Sequence, residues 1–165
     1  MGTSSSSPKD EDTSDPSARQ SVQREPSYYQ MAKIGFEHIV NAIIRPPRSK
    51  YVAQRDLGRD SFRIHGKIIK RKDFSLRNPR GLTLQCSQWF PSGAEKGRIL
   101  PCIVYLHGNS SSRLEVLPHL SNLLALGCSV MAFDCAGSGI SEGEYVSLGH
   151  FEQDDLAVVV EALRL

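Results

Sequence analysis

Short continuous apolar runs mark the centre of this chain. Residues 103–106 and 128–134 form two such runs, and each has the pattern of a strand that is buried on both faces of a sheet. A helical pattern follows each run, so the order along the chain is strand, helix, strand, helix. This order predicts an α/β domain with neighbouring parallel strands.

Two earlier segments change toward alternation of apolar and polar positions, which is typical of strands. They lie around residues 62–74 and 82–90, and residues 77–81 separate them with an Asn, a Pro and a Gly. These three residue types favour a turn. The segments are therefore predicted as two antiparallel strands that enter the sheet.

A helix is predicted near the start of the chain. Ser27 and Gln30 have the S-x-x-Q form of a capping box, and Pro46-Pro47 ends the pattern. An apolar stripe follows the helical period at Tyr28, Ala32, Phe36, Ile39, Val40 and Ile43. The stripe is predicted to dock on its own domain, and insertion in a membrane interface is the alternative.

Two further helices follow the buried strands. Ser112 and Glu115 form a second capping box, but Pro118 moves the expected helix start toward Leu117, and Gly127 ends the helix. Its predicted face comprises Leu114, Leu117, Leu120, Leu123 and Leu124. The last helix is expected from about Ser147, and its predicted buried side comprises Leu148, Leu156, Val159 and Leu163.

Composition divides the chain further. Residues 1–26 are rich in Ser, Asp, Glu and Pro without periodicity, which predicts a disordered tail. Residues 27–47 are the amphipathic helix with its Pro-Pro linker, and residues 48–165 are long enough for a core. Four cysteines without a C-x-x-C pair indicate small buried hydrophobic residues in a reducing compartment.

Charge is distributed unevenly and bears on partners. The net charge is −2 over residues 1–30, +9 over residues 31–80 and −5 over residues 81–165. The basic third is most simply a solvated surface, but it also suits peripheral contact with an anionic membrane. Gly2 with Ser6 matches the N-myristoylation pattern, a second membrane signal. Nucleic acid is not expected, because no aromatic platform accompanies the basic residues.

The sequence also bears on localisation. It contains no apolar span of 18 residues and no signal-peptide core. We therefore expect a cytoplasmic protein, with peripheral contact at a membrane through the two signals above as the alternative.

Candidate chemistry lies where the first buried strand ends. A dinucleotide site would need a third glycine after Gly137 and Gly139, but residue 142 is a glutamate, and no P-loop pattern is present. Acyl chemistry remains, since a turn after a central strand can present a backbone N–H to a developing oxyanion. His107-Gly108-Asn109 has the sequence context for such a turn.

Four stretches, which include LPCIVYLHGNSS and FDCAGSGISEGEY, carry a family resemblance in combination: residues 43–51, 71–91, 100–111 and 133–156. The chain from about residue 40 to 165 resembles the α/β-hydrolase superfamily, and closely the cytosolic serine-aminopeptidase-like hydrolases of plants and protists. The resemblance implies eight strands in the order 1-2-4-3-5-6-7-8. It also implies a serine nucleophile on a G-x-S-x-G elbow after the fifth strand, followed by an Asp and a His.

This order implies an incomplete domain over residues 48–165, truncated before the nucleophile elbow. The strands present are the amino-terminal half: two antiparallel entry strands, then strand, helix, strand, helix. The segment 102–106 is then expected as an exposed apolar sheet edge, which favours aggregation. Ser141 fits G-x-S-x-G but lies seven residues after Asp134, behind two flexible glycines, so it is not expected to be the nucleophile.

The resemblance assigns the oxyanion hole to the backbone N–H of Asn109, with Gly108 permitting the geometry. His107 is expected to shape the turn, and Asp134 to bind amides of its own glycine loop. His119 and His150 are expected in ordinary surface or core roles.

The implied reaction is hydrolysis of an ester, thioester or amide of a small acyl or peptide substrate through a serine acyl-enzyme. It implies no metal or organic cofactor. The chain by itself is expected to be inactive, since the triad lies beyond it. The alternatives are a non-catalytic membrane or partner adaptor, or a gene fragment.

Overall fold

The computed structural model describes residues 27–93 and 100–164. The predicted tail over residues 1–26 and the candidate acylation site Gly2 lie outside the described residues. The helices are α1 (Tyr28–Ile44), α2 (Ala53–Asp56), a 3-10 helix (Arg113–His119), α3 (Leu120–Ala125) and α4 (Glu152–Ala162). The strands are β1 (Ser61–Ile64), β2 (Lys67–Arg77), β3 (Thr83–Pro91), β4 (Cys102–Tyr105) and β5 (Ser129–Phe133).

One five-stranded sheet of order β1-β2-β3-β5-β4 organises the fold. β4 and β5 are parallel, whereas β1 with β2, β2 with β3, and β3 with β5 are antiparallel. The observed order of β2, β3, β5 and β4 agrees with the predicted order 1-2-4-3. In that scheme β2 and β3 are the entry strands 1 and 2, β5 is strand 4 and β4 is strand 3. β4 lies at the sheet edge, as predicted, and its four residues are half-buried.

The prediction of a single strand around residues 62–74 is wrong. His65 and Gly66 have positive φ angles of 48° and 78°, and Ile64 pairs with Lys67 across this two-residue turn. Two positive φ values in succession form the turn that best matches the twist of a hairpin. The segment therefore contains two strands, β1 and β2.

The two faces of the sheet carry separate apolar clusters. On one face, Trp89 and Val130 pack with Val116, Leu120 and Leu124 from the helices that follow β4. On the other, Met131 and Phe133 pack with Leu84, Cys86 and Val159. β5 contributes to both clusters, since all five of its residues are buried. The apolar run of β5 predicted a strand covered on both faces, and this prediction is confirmed.

The capping box of α1 forms as predicted. The Gln30 N–H donates to Ser27 Oγ at 3.4 Å, and the Ser27 N–H donates to Gln30 Oε1 at 2.8 Å. The predicted docking of the apolar stripe is wrong, because no residue of α1 is buried. Phe36 is 67% exposed and Ile39 is 63% exposed. None of the described helices has the length and hydropathy to cross a bilayer.

The second capping box does not form. Ser112 makes no side-chain cap, and the chain enters a 3-10 helix at Arg113 before α3 begins at Leu120. The Glu115 carboxylate binds other groups, described below, so it does not return to the Ser112 N–H. The predicted apolar face is confirmed in its deepest members, Leu120 and Leu124, and α3 ends before Gly127, which has a φ of 80°.

The last helix begins later than predicted. α4 starts at Glu152, five residues after Ser147, and Leu148 is 66% exposed with a positive φ of 53°. The Glu152 carboxylate accepts hydrogen bonds from the N–H groups of Ser147 and Gly149, and this closes a turn instead of a helical start. Val159 is fully buried, and Leu156 and Leu163 pack beside it, as predicted.

Candidate functional site

Two loops meet at the carboxyl ends of the parallel strands. Residues 106–112 follow β4 and are called the β4 loop, and residues 134–143 follow β5 and are called the glycine loop. A pocket of about 250 Å³ opens between them. Its lining comprises Leu106, His107, Gly108, Asn109, Cys135, Ser138, Val146, Leu148, Gly149 and Glu152. Ligands of open α/β sheets bind at such strand ends.

The predicted site residues Gly108 and Asn109 both line this pocket. The Gly108 N–H donates to Glu115 Oε2 at 3.0 Å, so it is already occupied. Within residues 27–93 and 100–164, no hydrogen bond engages the Asn109 N–H, whereas its side-chain Oδ1 accepts from the Ser110 N–H at 2.9 Å. Of the Gly108 and Asn109 amides, the Asn109 amide is therefore the one that is available to a ligand.

Glu115 fixes the conformation of the β4 loop. Besides the Gly108 N–H, its carboxylate accepts a hydrogen bond from the Tyr105 hydroxyl at 3.1 Å. The pKa of Glu115 lies below its usual value, because the Ser111 hydroxyl and then the Gly108 N–H bind the charged form. The carboxylate thus joins the strand, the loop and the 3-10 helix. The sequence assigned Glu115 to a capping box, and this role was missed.

His107 bridges the two loops. Its Nε2 accepts a hydrogen bond from the Cys135 N–H at 3.1 Å, so that nitrogen carries no proton. Its Nδ1 lies 2.8 Å from the Gly108 carbonyl oxygen and is then the protonated nitrogen that donates to it. A neutral imidazole with both nitrogens engaged shapes the turn, in the role that the sequence predicted.

Asp134 organises the glycine loop from inside. Its side chain is fully buried, and its Oδ2 accepts from the Ile140 N–H at 2.9 Å, which confirms the predicted bond to its own loop. Its Oδ1 accepts from the Arg113 N–H at 2.7 Å, and Oδ2 also accepts from the Tyr51 hydroxyl at 2.6 Å. One carboxylate therefore connects the glycine loop with the 3-10 helix and with the segment before α2.

The glycine loop passes so close to Asp134 that it needs a glycine at residue 139. A Cβ atom on Gly139 would lie 2.3 Å from the Asp134 carboxyl carbon, and its φ is 48°. Such a distance excludes a side chain unless the carboxylate moves. Gly139, which contributed to the suggestion of a dinucleotide site, is therefore required by the internal packing of the loop.

Ser141 has no features of a nucleophile. Its side chain is buried, and its Oγ donates to the Asp134 carbonyl oxygen at 2.7 Å and accepts from the Gln85 N–H at 2.8 Å. No histidine contacts it among the described residues. Its hydroxyl ties the loop to β3, which agrees with the prediction that its G-x-S-x-G match is coincidental.

Arg48 closes the glycine loop from outside. Its guanidinium donates to the carbonyl oxygens of Gly139 at 3.0 Å, Gly143 at 3.0 Å and Ser138 at 3.2 Å, and also to that of Ser141. Five N–H donors in a planar fork suit such a set of carbonyls. Arg48 lies in the first stretch that carries the family resemblance, but the sequence gave it no role.

Arg113 is a buried arginine whose backbone N–H binds Asp134 and whose guanidinium lies near the Tyr51 ring. The residue is 1% exposed, and its Nε and Nη1 have no hydrogen-bond partner within the described part of the chain. Its guanidinium carbon lies 5.7 Å from the centre of the Tyr51 ring. Burial, and then the bond to Asp134, raise the pKa of the Tyr51 hydroxyl well above its usual value, so it remains a donor. No local pattern predicts a buried arginine here.

Asp155 holds the glycine loop against α4. It is fully buried, and its Oδ2 accepts from the Ala136 N–H at 2.8 Å. Its Oδ1 accepts from Asn78 Nδ2 at 2.7 Å and from Arg80 Nη2 at 3.2 Å. The turn between β2 and β3 is thereby fixed to the same loop. Sequence reasoning included Asp155 in a matching stretch but gave it no role.

Other nucleophiles and metal ligands are poorly placed. Burial raises the pKa of the Cys135 thiol to about 12, so the thiol that lines the pocket stays protonated. Cys86 is also buried, and Cys102 and Cys128 are half-buried. Residues 27–93 and 100–164 contain no cluster of three His, Cys, Asp or Glu side chains that could hold a metal ion.

A serine–histidine contact exists elsewhere in the described residues. Ser121 Oγ lies 3.2 Å from Nε2 of the exposed His65, at the turn between β1 and β2. No carboxylate contacts His65 among the described side chains, and neither residue lines the pocket. A triad needs an acid that orients the histidine, so this pair is not one.

Most of the chain is similar to solved structures of longer proteins. One crystal form of the Pyrococcus furiosus esterase Pf2001 is 26% identical with a TM-score of 0.53, and the match covers 73% of this chain and 42% of that chain. A second crystal form is 25% identical with the same TM-score and covers 74% and 42%. The hypothetical protein PA2218 of Pseudomonas aeruginosa is 21% identical with a TM-score of 0.53 and covers 63% and 33%.

The chain therefore spans about two fifths of the length of the esterase it matches. Together with the sheet order, these likenesses show part of an α/β-hydrolase fold. No protein-family model matches the sequence. No curated protein matches it either.

Proposed function

We propose that this chain is the part of a serine hydrolase that carries the oxyanion-binding loop, and that it is inactive without the rest of the fold. The closest functional type is the cytosolic serine-aminopeptidase-like hydrolase that the sequence resembles. Its substrate is a small acyl or peptide compound, and the bond cleaved is an ester, thioester or amide. The esterase name of a solved neighbour supports the class of reaction.

The observation that carries the proposal is that the Asn109 N–H makes no hydrogen bond within the described residues. It lies at a pocket between the carboxyl ends of two parallel strands, and the neighbouring Gly108 N–H is already bound to Glu115. In an acyl transfer, the substrate carbonyl oxygen becomes negatively charged as the nucleophile attacks. A fixed backbone N–H that points at this oxygen stabilises the transition state more than the substrate.

The remaining steps need groups that the described residues do not bring together. A serine would attack the acyl carbon, its proton would pass to a histidine, and the alcohol or amine would leave with that proton. Water would then release the acyl group by the same route in reverse. In the family that the sequence resembles, these groups follow the family's fifth strand. β5 of this chain corresponds to the family's fourth strand, so the groups are expected later in the chain than the described residues.

A fluorophosphonate probe, which labels activated serines, tests the proposal. We expect no labelling of the 165-residue chain. If its reading frame continues into a G-x-S-x-G elbow, we expect the longer product to be labelled. Labelling of the 165-residue chain that Ser141→Ala abolishes would contradict the proposal. An unlabelled product that contains the elbow would contradict it as well.

A second experiment tests the Asn109 amide itself. In the labelled product, Asn109→Pro removes the N–H and should lower kcat by about 100- to 1,000-fold. Asn109→Ala keeps the N–H and is the matched control, with a rate near that of the parent. Equal rates for the two variants, with unchanged thermal unfolding, would remove Asn109 from the oxyanion hole.

A second candidate function is a non-catalytic adaptor that binds a membrane or a partner. The exposed apolar stripe of α1 favours it, because such a surface is unusual on a free domain. A stop codon directly after residue 165, with no labelled longer product, would favour this candidate or a gene fragment.

A further inference from the structure

We propose that α1 is a membrane-binding helix that lies in the interface of an anionic bilayer. The proposal goes beyond hydrolase activity and is independent of it. The apolar face of this helix is exposed in the structure, and an anionic bilayer would cover it.

Seven apolar residues of α1 share one face, whereas Met31 and Ile34, which are also exposed, lie on the opposite side of the helix. At about 100° per residue, Tyr28, Tyr29, Ala32, Phe36, Ile39, Val40 and Ile43 fall within about 120° of the helix circumference. Lys33 and Glu37, the charged pair of the helix, lie beyond the edge of this face and contact each other at 3.9 Å. No charge therefore interrupts the stripe.

The stripe is exposed although it carries large side chains. Tyr28 is 89% exposed, Tyr29 78% and Phe36 67%. Tyrosine and phenylalanine are residues that favour the boundary between lipid and water. The helix has 17 residues, about 25 Å, so its full length can lie along a membrane surface.

The tail cannot supply an apolar cover for this face. Residues 1–26 contain three apolar residues, Met1, Ala18 and Val22, among many serines and acidic side chains. Burial of seven stripe residues needs an apolar partner of similar extent. A lipid interface offers such a partner without requiring a second protein.

Charge complementarity favours an anionic bilayer. Residues 31–80 contain 13 basic and 4 acidic side chains, so the segment that includes most of α1 has a net charge of +9. Lys33, Arg45 and Lys50 are exposed within or shortly after the helix, and Lys33 lies 3.9 Å from Glu37 and Arg45 3.6 Å from Glu144. Basic residues near an apolar helical face add attraction to anionic lipids, and salt screens this attraction.

The helix is also fixed to the rim of the pocket. The Val146 N–H donates to the Ile44 carbonyl oxygen at 2.9 Å, and Val146 lines the pocket. The Arg45 guanidinium stacks on the Tyr145 ring at 4.7 Å and binds its hydroxyl at 2.8 Å. A bilayer bound by α1 would therefore lie next to the mouth of the pocket, where Leu148 and Tyr145 are also exposed.

Tryptophan substitutions test which face contacts lipid. The chain is produced without an acyl group, and Phe36→Trp on the stripe is compared with His38→Trp on the opposite face. The native Trp89 is fully buried and serves as an internal background. With vesicles of brominated phosphatidylcholine and phosphatidylserine, Phe36→Trp should be quenched and His38→Trp should not. Equal quenching of both, or of neither, would overturn the proposal.

Matched charge substitutions test the binding itself. Ile39→Asp adds one negative charge to the stripe, and Asn41→Asp adds one to the opposite side of the helix. Sedimentation with phosphatidylcholine–phosphatidylserine vesicles should weaken about tenfold or more for Ile39→Asp and far less for Asn41→Asp. Binding should also weaken as salt rises. Equal loss in both variants, or equal binding to vesicles of phosphatidylcholine alone, would overturn the proposal.

A second copy of the chain is the competing occupant. If α1 paired with itself, the chain would dimerise without vesicles and Ile39→Asp would make it monomeric. Analytical ultracentrifugation distinguishes the two. Dimerisation through α1 with no sedimentation on anionic vesicles would overturn the membrane assignment and leave the fluorophosphonate experiments unaffected.

Discussion

The glycine loop and the β4 loop border the same pocket but are built in opposite ways. Residues 134–139 and Ser141 are buried, and a carboxylate from inside and an arginine from outside hold the loop. Gly108, Asn109 and Ser110 are exposed, and side-chain bonds from Glu115 and His107 hold them. The glycine-rich motif is therefore the structural support of the pocket, whereas the turn His107-Gly108-Asn109 presents the available amide.

Removal of the Asp134 carboxylate should have the largest effect on stability, because this carboxylate holds the glycine loop. Asp134→Ala leaves three donors without an acceptor: the Arg113 N–H, the Ile140 N–H and the Tyr51 hydroxyl. We expect a loss of about 4 kcal/mol in the free energy of unfolding, measured with urea. Asp134→Asn keeps one acceptor oxygen and should lose about half as much. A loss below that of an ordinary surface substitution would show that the loop does not depend on this carboxylate.

A methyl group at residue 139 should have the next largest effect. In Gly139→Ala the Cβ would overlap the Asp134 carboxylate at 2.3 Å and the positive φ adds strain, so we expect about 3 kcal/mol of destabilisation. Gly127→Ala is the matched control, because its φ is 80° but no atom lies within 4 Å of the added Cβ. It should cost about 1 kcal/mol. Thermal unfolding of both variants measures the difference in their destabilisation. Equal destabilisation would mean that backbone strain alone acts at residue 139, without the overlap with Asp134.

Loss of the Glu115 charge should have a smaller effect, confined to the β4 loop. Glu115→Gln weakens the bonds from Gly108 and Tyr105 and should cost about 1 kcal/mol in a half-exposed position. The pKa of Glu115 is lowered in the folded protein, so its contribution is complete above the ordinary glutamate pKa and is lost as pH falls through the lowered value.

An NMR titration of the Gly108 amide measures this pH dependence. The amide shift should move in the acid range in the parent protein and stay constant there in Glu115→Gln. The Gly127 amide, which binds the Leu124 carbonyl oxygen, is the reference signal. A Gly108 shift that is the same in parent and variant would mean that another group titrates.

The Asn109 side chain should matter least to stability. It is exposed and binds only the adjacent Ser110 N–H, so Asn109→Ala should change the free energy of unfolding by less than about 0.5 kcal/mol. A larger loss in urea unfolding would mean that the β4 loop contributes to the scaffold, and the contrast between the two loops would disappear.

Local patterns predicted those parts of the fold that depend on local interactions. Neighbouring residues determine the capping box of Ser27 and Gln30, the buried run of β5 and the end of α3 before Gly127. Ser112 and Glu115 had the same capping pattern but formed no box, because the Gly108 N–H and the Tyr105 hydroxyl compete for the carboxylate. A pattern of spacing does not reveal such competitors.

The site was only partly predictable for a related reason. The bond of Asp134 to its own loop follows from six residues of sequence separation, but its bonds to Arg113 and Tyr51 span 21 and 83 residues. The amphipathic pattern of α1 predicted a helix with an apolar face, yet the pattern carries no information about what covers that face. The assignments of Gly108 and Asn109 came from the resemblance and stay predictions.

The contacts of Arg48 also set a condition on how quickly the chain can fold. Its carbonyl partners lie 90–95 residues later in the sequence, so a large chain loop must close before the first of these bonds can form. Contacts of such long separation slow folding, because their entropy cost precedes their reward. During synthesis, none of these bonds can form before Ser138 has been added, and the full set of four requires Gly143.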